Sequence, residues 1–208
     1  MLRALVDDEE QHAALDSEEH GVDLAGALVR SLNSDQTGPW ARAVSAELLS
    51  ALARSQQPRG REMMEKSLAL FLRLLGGEGA DADVAGLGAA DGGADGDAAV
   101  HATATRRAAA AALRALTSDV DQHDTVLAHN VPAELAKLLL GGDAFSRRES
   151  ADLLRISQGL NEELRQRVAE AIEVDPNTSR AELKEHLARL ALGDDAAQGE
   201  SPADAVDE

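Results

Sequence analysis

The sequence has no cysteine and no tyrosine, and only three aromatic rings, Trp40, Phe71 and Phe145. Without cysteine there is no disulfide framework and no thiolate zinc site. Sheets lean on aromatic and β-branched residues; here Ala and Leu prevail, which are strong helix formers, so an all-α fold is expected. No run of about 18 apolar residues is present, which excludes a membrane-spanning helix. The N-terminus lacks the basic-then-apolar order of a signal peptide, because Asp7, Asp8, Glu9 and Glu10 follow at once. A soluble cytoplasmic protein is the expectation.

Basic charge is also scarce. Twenty Lys and Arg stand against 38 Asp and Glu, for a net charge of −18. The deficit is concentrated. Segment 78–105 holds Glu78, Asp81, Asp83, Asp91, Asp95 and Asp97 with no Lys or Arg, and the tail from Gly193 holds Asp194, Asp195, Glu200, Asp204, Asp207 and Glu208, equally unopposed. Those twelve charges leave −6 on the rest, so most of the acidity serves solubility rather than a site. A chain without a basic footprint is a poor nucleic-acid binder.

What the sequence does have is repetition. Arg42, Ala43, Ala46 and Leu48 recur 65 residues later as Arg107, Ala108, Ala111 and Leu113, and Leu74-Leu-Gly-Gly77 recurs as Leu139-Leu-Gly-Gly142. A shift of 105 aligns Trp40–Leu49 with Phe145–Leu154. The two shifts differ by 40, in the range of armadillo and HEAT repeats of about 40–47 residues. The excess in the first shift matches 78–102, a Gly-, Ala- and Asp-rich stretch without apolar period, expected to be a disordered insertion in one repeat. Leu2–His12 resembles Leu113–His123, so the chain is expected to begin partway through a repeat helix.

Local signals divide each copy into helices. Leu24, Leu28 and Leu32 form an apolar stripe, and Gly76-Gly77 and Gly141-Gly142 stop the Leu-rich helices. Pro132 opens a helix over 132–140. Leu164, Val168, Ala171 and Ile172 mark another inward face. Ser179-Arg-Ala-Glu182 reads as a capping box opening the last helix, with Leu183, Leu187 and Leu190 inward and a Glu185–Arg189 pair outward.

On these residues the chain resembles the armadillo repeat family. Asp121–His129, Asn130-Val-Pro132 with Leu135–Leu139, and Arg147–Ser157 are similar to that family's first, second and third helices. His20-Gly-Val22, Leu24–Leu32 and Trp40–Ala53 are similar to another copy. The resemblance covers about 2–160. It implies a right-handed α-solenoid over 1–192, with 193–208 an acidic disordered tail; a related helical-pair repeat gives the same pattern. In the family, third helices line a concave groove for extended peptides, often through an asparagine. The matching positions here are Ser50, Ala115 and Arg155, so the asparagine ladder is absent.

Chemistry-bearing motifs are missing. No two histidines have the His-x3-His spacing of a helical metal site, and Gly86-Leu-Gly88 lacks the rest of a phosphate loop. Asp121, His123, Asp124 and His129 read as a polar helix facing water. No cofactor or catalytic residue is expected, and the chain is read as a non-enzyme. The functional candidates are arginines: Arg42, Arg107 and Arg147 at matching places on successive third helices, and Arg114 and Arg155 seven residues beyond Arg107 and Arg148. Such residues either pair with neighbouring carboxylates or form a basic groove for an acidic or phosphorylated protein segment. The expected function is a scaffold or adaptor holding a protein or peptide. The alternative is a regulator of a larger enzyme or chaperone, as the Hsp70 exchange factors of this family are.

Overall fold

The computed structural model describes residues 24–34, 36–54, 58–77 and 94–192. The expectations for Leu2–His12 and His20–Val22, for 78–93 and for the tail from 193 lie outside these residues. Among the described residues all regular structure is helical: α1 (Leu24–Asn33), α2 (Pro39–Ala53), α3 (Pro58–Leu75), α4 (Ala94–Ser118), α5 (His123–Ala128), α6 (Val131–Gly141), α7 (Ala144–Leu160), α8 (Glu162–Ala171) and α9 (Arg180–Leu192), with a 3-10 turn at Val120–Gln122. The chain divides into two compact units, Met1–Thr125 and Val126–Glu208.

In the first unit α2 packs on α1, α3 and α4, and α4 also packs on α3. The interfaces are built from leucine and alanine: Ala46, Leu49, Leu68, Phe71, Leu75, Ala109, Ala112, Leu113 and Leu116 are all at most 1% exposed. Each leucine so buried contributes about 1.5–3 kcal/mol through loss of apolar surface to water. Two arginines close helix ends. The Arg42 guanidinium donates to the Ser34 carbonyl just past α1 (3.1 Å), and Arg106 donates to the Leu75 carbonyl at the end of α3 (3.3 Å). A cation there meets both an orphan carbonyl and the negative end of the helix dipole.

In the second unit α7 is central, packing on α6, α8 and α9. Asp143 caps it by accepting from the Ser146 N–H (2.8 Å). Asn130, in the left-handed region (φ 49°), turns the chain into α6, and Pro132 sits in its first turn. Leu153, Leu154, Leu164, Val168 and Leu183 are fully buried. The capping box at α9 forms as expected: Ser179 and Glu182 exchange backbone and side-chain hydrogen bonds of 2.7–3.3 Å. Arg189 does not reach Glu185; its guanidinium lies 3.4 Å from His186 Nδ1, one turn back.

One expectation is corrected. The insertion was placed at 78–102, yet α4 begins at Ala94, so 94–102 is helical. Ala98, Ala99, Ala102 and Ala104 are strong helix formers, and extending a helix already held by packing needs no new nucleus. Asp95 and Asp97 fall in its first turn, where the dipole favours carboxylates.

The end of α6 depends on a close approach. Gly142 donates to the Leu138 carbonyl (2.9 Å), and a Cβ at 142 would fall on that oxygen and 2.7 Å from Ser146 Cβ. Gly142→Ala should therefore cost about 2 kcal/mol or more. Gly141→Ala, where a Cβ meets nothing within 4 Å, should be neutral or stabilising by up to about 1 kcal/mol. Urea denaturation of both variants measures the contrast; equal midpoints would remove the close approach from the account.

Candidate functional site

Three helices, α2, α4 and α7, share most of one burial pattern. Residues 40–50 of α2 match 107–117 of α4, and 107–118 of α4 match 148–159 of α7, in which side chains are exposed, half-buried or buried, except that Ala108 is buried where Ala41 and Glu149 are half-buried. Exposed positions seven residues apart recur on each: Trp40 and Glu47 on α2, Arg107 and Arg114 on α4, Arg148 and Arg155 on α7, with Ser118 and Gly159 also exposed near the ends of α4 and α7. Seven residues is close to two helical turns, so the two members of each pair face the same way. The covered ridges hold Leu49, Leu116 and Ser157 at one position and Ser50, Thr117 and Gln158 at the next.

This register relocates the candidate arginines. Arg107, Arg114 and Arg155 are exposed. Arg147 is half-buried, and its Nε is buried without a hydrogen-bond partner; the structural counterpart of Arg107 on α7 is Arg148. Arg42 is buried, 7% exposed, on the ridge where α4 has Ala109 and α7 has Ser150. It cannot extend an exposed row, because its guanidinium is turned to the Ser34 carbonyl. Arg42, Arg107 and Arg114 belong to the first unit, Arg147 and Arg155 to the second.

The two arginine pairs differ in their surroundings. On α7, Asp152 lies between Arg148 and Arg155 and takes an ion pair from Arg155 (3.1 Å). From 98 to 118, α4 carries Arg106, Arg107 and Arg114 and no carboxylate. Between Arg107 and Arg114 the half-covered residue is Ala111. Trp40, 59% exposed, occupies the matching position on the neighbouring helix α2.

Elsewhere, Asp121, Asp124 and His129 are exposed and His123 is half-buried. No group of three or more metal-ligating side chains occurs among the described residues. No described helix is long and apolar enough to cross a membrane. Comparison with protein-family profiles, with curated proteins and with solved structures finds no match to this chain.

One charged residue escaped the sequence reading. Arg165, on α8, is buried, grips both Glu162 oxygens, and donates to the Thr178 carbonyl in the connection to α9 (2.6 Å). The only sequence signal was an acid and an arginine three residues apart, which is common on exposed helix faces. The hydrogen bonds from Arg165, and then its charge, hold the Glu162 carboxyl below its usual value against partial desolvation. The Ser179 hydroxyl and backbone N–H do the same for Glu182. A carboxyl depressed in the folded state adds stability above its ordinary range, and loses it as pH falls through the folded value. Stability should thus decline with acid below the normal glutamate range, and Glu162→Gln with Glu182→Gln should be less stable at neutral pH but flatter with pH. Urea midpoints from pH 7 to 3 check this; parallel curves for both proteins would contradict it.

Proposed function

We propose that this chain is a non-enzymatic interaction module of armadillo-like type, which holds an acidic segment of a protein partner on the exposed face of α4. The observation that carries this reading is that Arg107 and Arg114 are exposed on one face of α4, whose residues 98–118 hold no carboxylate, in a chain of net charge −18. Local reversal of sign steers an acidic partner to one face. Guanidinium forks match carboxylate and phosphate oxygens, so a phosphorylated segment is served by the same chemistry.

The test uses the full chain and a fluorescein-labelled polyglutamate peptide. Exchanging both charges in an Arg107→Glu, Arg114→Glu variant should weaken binding at least tenfold with helicity unchanged, since both side chains are exposed. Binding by the parent should also weaken as salt rises. Arg148→Glu serves as the matched control and should have the smaller effect. Undiminished binding by the double variant would refute the proposal.

A further inference from the structure

Among the described residues, Ser118 and Ser179 are the exposed serines, and every threonine is half-buried or buried. The Ser179 hydroxyl is engaged with Glu182 in the capping box, and a basic residue, Arg180, follows it. Ser118 is differently placed. It is the last residue of α4, where helices fray, and exposed Val120 and Asp121 lie just beyond it. Carboxylates stand one and three residues downstream, at Asp119 and Asp121, with Asp124 further on. A kinase with a basic substrate cleft selects its acceptor hydroxyl by such a charge pattern.

Ser118 also shares the arginine face. Arg107, Ala111, Arg114 and Ser118 follow one another at four, three and four residues, so they lie along one side of α4. Neighbours four apart on a helix have Cβ atoms about 5–6 Å from each other. The Ser118 hydroxyl donates to the Arg114 carbonyl (2.6 Å), which also accepts from the Thr117 hydroxyl (3.3 Å).

We infer that Ser118 is a phosphorylation site for a serine/threonine kinase of acidic specificity, and that its phosphate closes the α4 face to acidic segments. The second half rests on the acid-binding reading of that face and adds its regulation. In the transfer, Ser118 Oγ forms a bond to the γ-phosphorus of ATP and the bond from that phosphorus to the β–γ bridging oxygen breaks. ADP leaves, and the hydroxyl proton passes to the kinase's base. The product carries about −1.5 to −2 charges at pH 7, which offsets most of the positive charge of Arg107 and Arg114. Asp119 beside it adds to the repulsion of an approaching carboxylate. That repulsion acts whatever else the Arg114 guanidinium touches.

The experiment treats the full chain and its Ser118→Ala variant with a purified acidophilic kinase and ATP, then maps phosphate by mass spectrometry. Phosphate should appear at Ser118; its absence there, whatever other hydroxyls take, would overturn the site. Both proteins, treated and untreated, are then titrated against fluorescein-labelled polyglutamate at low ionic strength. Phosphorylation should weaken binding by the parent about fivefold or more, the worth of an exposed ion pair or more. The treated Ser118→Ala chain should keep the untreated affinity, which separates the phosphate at 118 from phosphate elsewhere and from loss of the hydroxyl. Unchanged binding by the phosphorylated parent, or an equal loss in treated Ser118→Ala, would overturn the regulation. Failure of the untreated parent to bind polyglutamate would overturn the regulation and the acid-binding reading together, while the phosphate map still decides the site.

Discussion

A helix packed on two sides has little surface left for water, and this constraint organises the molecule. α2, α4 and α7 each cover two ridges mainly with Ala, Leu, Ser or Thr, Arg42 and Gln158 being the exceptions. Along the packed part of each helix a line touched once every two turns remains exposed, and what stands on it is part of the outward chemistry of the helix. Small ridge residues make this possible. Ala46, Ala109 and Ala112 are completely buried, and a core with few rings fills its volume by close approach of helices rather than by bulk. In consequence Arg107 and Arg114 have no choice of face.

The same constraint separates arginines that hold the structure from arginines that meet solvent. Arg42 and Arg106 reach helix ends, and Arg165 closes the connection into α9. Such groups are costly to lose because a buried carbonyl is left without its donor. Arg107, Arg114, Arg148 and Arg155 stand in water, where ion pairs contribute little to stability. Gln158 fits neither group: it is fully buried and neither side-chain amide atom has a hydrogen bond, and nothing in the structure explains it.

Much of the helical layout was legible from periodicity and punctuation. The Asn130–Pro132 turn, the glycines after α3 and α6, and the Ser179 capping box are short-range signals whose physics is local, and they stand where the pattern put them. The start of α4 was not legible, because Gly96, Asp95 and Asp97 look like linker until the packed helix beyond them supplies a template. The candidate arginines were half legible. Sequence identity matched Arg42 to Arg107, whereas burial matches Trp40 to Arg107 and Arg107 to Arg148. An alignment of letters cannot see which side of a helix is covered, and a slip of a few residues turns a guanidinium from solvent to interior.

The central claim is that the α4 stripe is the face this chain offers to an acidic partner. Side-chain Nε–Hε resonances of arginine, followed by NMR while a glutamate-rich peptide is added to the full chain, report each guanidinium separately. The account requires that Arg107 and Arg114 shift together and saturate at one concentration, with Arg42 and Arg165 unmoved. Shifts confined to Arg148, Arg155 or the arginines of α9, or spread evenly over all exposed arginines, would contradict it.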